Sequence, residues 1–210
     1  MPDSVPAIAG RKSAYVARNR TALIKATQEV LAQYGTAATV ELVAEKAEIA
    51  VSTIYKHFAN KEALFDAAFI EGLIEWETWA HSKIADIADP LESLIFPMRL
   101  MMKVPQTHPI FAHMVKQNPG DFVLVIPKMQ FGIGSVAAEL QKTNALAVDH
   151  LDQRIKNLVK VLTLTFVELC TNQDFTEDAA NASVAVALEM LGLSTHQIQH
   201  LMSAPLPVFT

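Results

Sequence analysis

Thr53-Ile-Tyr-Lys-His-Phe-Ala-Asn-Lys-Glu-Ala-Leu64 is the stretch on which the reading of this chain turns, because it joins a short amphipathic helix to a second helix that opens at Asn60. Ile54 and Phe58 stand four apart and share one face of the first helix, while Tyr55, Lys56 and His57 project donors away from it. Asn60 is a good N-cap, and Lys61 follows where the free amides of a new helix already favour an anion. Several groups able to hold phosphate thus fall within a few residues. On its own, such a segment also suits an ordinary solvent-facing helical edge.

The upstream sequence decides between the two. Arg18 to Tyr34 repeats apolar residues at helical spacing through Leu23, Ile24, Thr27, Val30 and Leu31, and ends at Gly35. Thr39 can cap a second helix whose buried stripe is Val40, Val43, Ala44 and Ala47. Only Glu48 to Ala50 separate that helix from the next, so the unit is three helices and the start of a fourth.

In these residues the chain resembles the N-terminal DNA-binding domain of the TetR (tetracycline repressor) family of bacterial transcription regulators. The resemblance covers residues 18–65 and rests on Leu23-Ile24, Gly35, Thr39, Ala44, Ala47, Thr53, Tyr55, His57-Phe58 and Lys61-Glu62 in the family's order and approximate spacing. It implies that Val51, Ser52 and Thr53 open a recognition helix in the major groove, and that Thr39, Tyr55, Lys56, His57 and Lys61 belong to the DNA-binding surface. Phosphate contacts position a protein and base-edge contacts specify, so Val51 would read only shape and a thymine methyl, while Ser52 and Thr53 offer adaptable hydroxyls. No Arg or Asn reader stands on that helix. Specificity would then draw on half-site spacing, DNA deformability, or Arg11, Lys12, Arg18 and Arg20.

Three positions depart from the family pattern. Glu48 replaces a turn glycine, Ala50 replaces a hydroxyl N-cap commonly worth about 1 kcal/mol, and Glu41 places a carboxylate that repels phosphate in the first turn of the second helix. Ser52 can serve as a substitute cap.

The whole chain has 210 residues, 51% of them hydrophobic, with a net charge of −5. Residues 1–65 carry eight basic against six acidic residues, and residues 66–210 carry nine against sixteen, so the modest positive balance lies at the DNA end. Binding should therefore rest on two subunits and respond to salt. Apolar stretches are cut by charges such as Lys160 and Glu168, leaving none of the ~18 residues a membrane span requires, and no secretory signal is evident. A cytoplasmic protein without membrane association is expected. The single cysteine, Cys170, sits among apolar residues and reads as a buried structural thiol.

The expected fold is all-α, with an N-terminal arm over 1–17, the helix-turn-helix domain over 18–65, and a helical effector-binding and dimerisation domain over 66–210. With no linker in between, the helix opening at Asn60 should run into the second domain as a lever, with Leu64, Phe65, Ala68, Leu73 and Trp76 on its apolar face. Further helices are expected at Pro90–Met102, Pro109–Gln117, Pro127–Lys142, Val148–Thr171 and Thr176–Leu191, with Phe122–Ile126 the one β-like run.

Two stripes on the last long helices, Leu151, Ile155, Leu158 and Leu162 on one and Val184, Leu188 and Leu191 on the other, suit either a core or a four-helix homodimer seam, and the resemblance implies the latter. The central region is rich in adaptable side chains. Met98, Met101, Met102, Phe111, Met114, Met129, Phe131 and Phe166 are expected around an apolar small-molecule effector. Arg99, His108 and His113 could add polar contacts, but each reads better as a surface group or a satisfied histidine.

No glycine-rich phosphate loop, HExxH, GxSxG or paired cysteines point to an enzyme, a cofactor or a metal, and His196 and His200 read as exposed. Glu75 and Glu77 read as a solvated face. The function expected is a homodimeric repressor, released from a palindromic DNA operator by its effector. The competing reading is an all-helical carrier of hydrophobic ligands with a vestigial DNA-binding unit.

Overall fold

A computed structural model describes the backbone of residues 6–126 and 133–206, and the side chains within them other than those of 6–19, 125 and 135. Every regular element among the described residues is helical. Helix α1 (Pro6–Tyr34) begins inside the stretch expected as an arm, with proline in the first turn where its missing N–H is not needed. It ends at Gly35, whose φ of 56° is the left-handed conformation that glycine adopts without strain. Leu23, Ile24, Thr27, Val30 and Leu31 are all buried, as their spacing predicts.

Helices α2 (Val40–Lys46) and α3 (Val51–Ile54) complete the small N-terminal unit. Thr39 caps α2, its hydroxyl accepting from the Leu42 amide at 3.3 Å. Helix α4 (Lys61–Ile84) is capped by Asn60, whose side chain accepts from the Ala63 amide at 2.7 Å. Its 24 residues carry it without interruption from the N-terminal unit into the rest of the chain, a rod of about 36 Å at 1.5 Å per residue. Leu64, Phe65, Ala68, Leu73 and Trp76 are buried along it.

The larger unit comprises α5 (Pro90–Met101), α6 (Val104–Thr107), α7 (Pro109–Gln117), α8 (Pro119–Val125), α9 (Ile133–Lys142), α10 (Leu151–Thr171), α11 (Glu177–Glu189) and α12 (Thr195–Ser203), with α5, α7 and α8 packed on α4 and α10 packed on α7, α8, α9 and α11. Pro97 lies within α5. The β-like run is corrected: Phe122 belongs to helix α8, where Pro119 occupies the first turn and Asp121 favours the helix dipole. Tertiary packing overrides the strand propensity of its aromatic and β-branched residues. Phe122 sits 6.0 Å from the Phe69 ring, 5.9 Å from Phe111 and 5.7 Å from Phe166, in a cluster that ties α4, α7, α8 and α10 together. Helix α10 starts at Leu151 rather than Val148, because His150 takes a φ of 56°.

Arg99 is also corrected. It is neither a surface group nor open to a ligand, being buried with its guanidinium donating to the carbonyls of Leu201 and Ala204, both at 2.8 Å. It thereby satisfies the end of α12 and pins that helix to α5, while burial lowers its pKa.

Candidate nucleic-acid interface and ligand cavity

The two faces of the α3 segment separate as their spacing predicts. Ile54 and Phe58 are buried, whereas Ser52, Tyr55 and Lys56 are exposed and Val51, Thr53, His57 and Lys61 are half-buried. Tyr55 and Lys56 follow Ser52 by three and four residues, so their side chains share its outward face on one short segment. Thr39 is exposed at the start of α2. Arg20, on α1, adds a cation not placed with these residues by sequence spacing: its guanidinium carbon lies 5.2 Å from the Phe58 ring centre. Lys61 lies over Phe65, 4.9 Å from the ring centre. Stacking on a ring restricts a cation without neutralising it.

The departures from the family pattern acquire definite geometry. Ala47 closes α2, Glu48 follows with a φ of 54°, and the Ile49 amide reaches back to the Ala44 carbonyl at 3.0 Å. That is a Schellman ending with glutamate in the position glycine normally fills. Ala50 provides no side-chain cap to α3, and Ser52 does not replace it. The carboxyl pKa of Glu41 is lowered by hydrogen bonds from its own backbone amide and from Thr39, with a smaller contribution from Lys61.

The larger unit holds a cavity of about 300 Å³. The lever helix supplies Trp76, Glu77, Ala80 and His81 to its wall; α5 supplies Ser93, Leu94, Pro97, Met98 and Met101; and α10 supplies Val159, Leu162, Thr163 and Phe166. Phe122 and Ile126 close one side, and Ile133 and Val136 of α9 another. Of the residues expected around a ligand, Met98, Met101 and Phe166 line this space. Met102, Phe111 and Met114 are buried outside its lining, and Met129 and Phe131 lie outside the described residues. Phe111 remains one ring away, its centre 6.0 Å from that of Phe166.

Glu77 is not on a solvated face; it is half-buried and lines the cavity, one helical step from Trp76. The Trp76 indole N–H is buried without a hydrogen-bond partner, a state that costs about 1–3 kcal/mol. The four-residue spacing of Trp76 and Ala80 was visible in the sequence, but nothing local distinguishes a cavity wall from a filled core.

Two buried amides join the units. Gln28 on α1 donates to the Ala68 carbonyl of the lever at 3.3 Å. Asn118, at the corner between α7 and α8, donates to the Leu31 carbonyl at 3.3 Å and to the Met114 carbonyl at 3.0 Å.

The stripes expected at a dimer seam face inward. Leu151, Leu158, Leu162, Val184, Leu188 and Leu191 are buried within the single chain and Ile155 is half-buried, because a helical stripe reports burial without naming what buries it. On the opposite faces of α10 and α11, Leu164 is 60% and Val186 63% exposed.

Cys170 is partly buried, and loss of water around it pushes its thiol pKa up to about 12. His196 and His200 are exposed, and no group of three or more potential metal ligands occurs among the described residues. Nor is any helix among them long and apolar enough to cross a membrane.

Residues 23–68 match the family model of bacterial regulatory proteins, tetR family. No curated protein sequence gives a match. The fold is similar to that of RolR in complex with resorcinol, with a TM-score of 0.71 and 18% identity over 93% of this chain and 98% of that one. It is also similar to a tetR family transcription regulator from Shewanella sp. PV-4, with a TM-score of 0.61 and 13% identity over 81% of this chain and 96% of that one. A TetR-like transcriptional regulator from Rhodococcus sp. RHA1 gives 0.53 and 15% identity over 84% and 97%. Residues 23–68 thus carry the helix-turn-helix of the tetR family of bacterial regulatory proteins, on a fold similar to that of TetR-like regulators over most of the chain.

Proposed function

We propose that this chain is a homodimeric repressor, released from a palindromic operator when an apolar small molecule occupies the cavity. The observation that carries this reading is the dual use of α4, which is capped at Asn60 directly behind the recognition segment and contributes Trp76, Glu77, Ala80 and His81 to the cavity wall. A ligand that fits the cavity better in one position of α4 than in another must bias the position of α3. Its effect on the operator cannot exceed its differential affinity for the two states.

In this reading Ser52 and Thr53 approach base edges, with Val51 packing against a thymine methyl. Thr39, Tyr55, Lys56, His57 and Lys61 hold phosphates, joined by Arg20. Two copies are required for two half-sites about one DNA turn apart. The exposed Leu164 and Val186, on adjacent helices that already pack together, favour the outer face of α10 and α11 as the seam. Similarity in fold to RolR, which was crystallised with resorcinol, supports a small ring compound as the effector class.

Selection from a random duplex library with purified protein tests the reading. A palindrome should be enriched, and its affinity should fall in the Tyr55→Phe and Lys56→Ala variants. A folded protein that enriches no sequence would instead favour the ligand carrier with a vestigial DNA-binding unit.

A further inference from the structure

We propose that the cavity selects a neutral aromatic compound bearing a hydroxyl group, a phenol, with Glu77 and Trp76 as its polar anchors. This rests on the reading of the cavity as a ligand site and adds the chemistry of the ligand.

The body of the ligand follows from the wall. Trp76, Phe122 and Phe166 supply aromatic surface, and Met98 and Met101 supply polarizable side chains suited to a ring. Its charge follows from the acid in the wall. Among the described residues Glu77 is the only acid in the lining and no lysine or arginine lines the cavity, so a carboxylate ligand would meet the Glu77 charge with no lysine or arginine among them to offset it.

The functional group follows from the hydrogen-bond inventory. Thr163 donates its hydroxyl proton to the Val159 carbonyl at 2.7 Å, and Ser93 donates to the Ile87 carbonyl at 3.3 Å. His81 Nδ1 lies 2.8 Å from the Glu77 carbonyl, which can only accept, so the N–H at that nitrogen is committed to it. Thr163 and Ser93, together with the Glu77 carboxylate, therefore offer acceptors. The exception is Trp76, whose N–H is buried without a partner. It is covered by neighbouring atoms, so a ligand oxygen reaches it by re-seating the indole, and the indole is attached to the lever. An ether or ketone can satisfy Trp76 but gives Glu77 nothing. An ammonium satisfies Glu77 and leaves Trp76 unpaired. A hydroxyl is the smallest group that donates to one and accepts from the other.

Isothermal titration calorimetry of the full chain with para-propylphenol, para-propylanisole, propylbenzene, para-propylbenzoate and para-propylbenzylamine tests this. The phenol should bind about tenfold or more tighter than each of the others, with the benzoate weakest, because a site with buried polar groups discriminates strongly against analogues that leave them unpaired. Glu77→Gln and Trp76→Phe should each bring the phenol to within about threefold of the anisole. Equal binding of phenol and hydrocarbon, or tightest binding of the amine or benzoate, would overturn the hydroxyl assignment while leaving the cavity a ligand site. If none of the five binds, that reading and this assignment fail together. Should either variant not fold, the wild-type series decides alone.

Discussion

Asn118 donates its side-chain amide to the main-chain carbonyl of Leu31, across the boundary between the cavity-bearing unit and the last turns of α1. The same amide donates to Met114, so the corner between α7 and α8 is fixed to both. Phe111 on α7 and Phe122 on α8 pack against Phe166, which lines the cavity. Pressure on the cavity wall therefore has a packed route to α1 besides the lever itself.

Asn118→Ala should remove both bonds and leave the Leu31 carbonyl buried without this donor, costing about 1–3 kcal/mol. Urea denaturation would register this as a lower midpoint with an unchanged slope. In the proposed switch, the variant should also show a smaller ligand-induced change in operator affinity than the wild type.

Glu48→Gly should have the opposite effect on stability. The left-handed φ of Glu48 costs an L-residue about 1–2 kcal/mol, and glycine's greater freedom in the unfolded chain returns only part of that. A rise in the urea midpoint is expected, with DNA affinity maintained or improved because the α2–α3 turn keeps its shape.

Lys56 is exposed in the turn that follows α3. Lys56→Ala should weaken binding to all duplexes alike and lower the slope of log affinity against log salt by about 1 per subunit in contact. Ser52→Ala should instead change the preferred sequence while leaving that slope in place. Fluorescence anisotropy at several salt concentrations separates the two.

Leu164→Asp together with Val186→Asp should yield a folded monomer in sedimentation velocity, since both side chains are exposed in the single chain. Leu158→Ala is the control from the inward-facing stripe of α10. That side chain is fully buried, so truncation should destabilise the subunit by about 2–5 kcal/mol without selectively dissociating a dimer.

His108 gives a pH dependence. Partial burial lowers its pKa below the ordinary 6.5, so the unfolded chain binds a proton more readily than the folded one. Its contribution to stability is complete above the unfolded value and declines as pH falls through the folded value. A His108→Gln variant should show a flatter decline in thermal stability below neutral pH.

The N-terminal unit was legible because its signals are local. Thr39 and Asn60 cap the helices they precede, and the buried stripe from Leu23 to Leu31 needs only one helix to express it. Glu48 announced a strained turn for the same reason. The cavity was less legible: Met98, Met101 and Phe166 were recognised by their chemistry, but Glu77 looked solvated because its burial depends on α5 and α10, distant in sequence. Leu158 and Val184 were identifiable as apolar stripes, yet periodicity cannot say whether a stripe meets its own chain or a second one. Phe122 read as part of a strand because its aromatic contacts with Phe69, Phe111 and Phe166 lie on three other helices.

The most direct test is operator affinity, measured by fluorescence anisotropy, for the selected palindrome with and without saturating cavity ligand, in the wild type and in an Ala80→Phe variant that fills the cavity from α4. The proposed switch predicts that ligand lowers wild-type affinity by about tenfold or more, and that the filled variant no longer responds. Ligand that binds the wild type, as verified by calorimetry, yet leaves its operator affinity unchanged would contradict it.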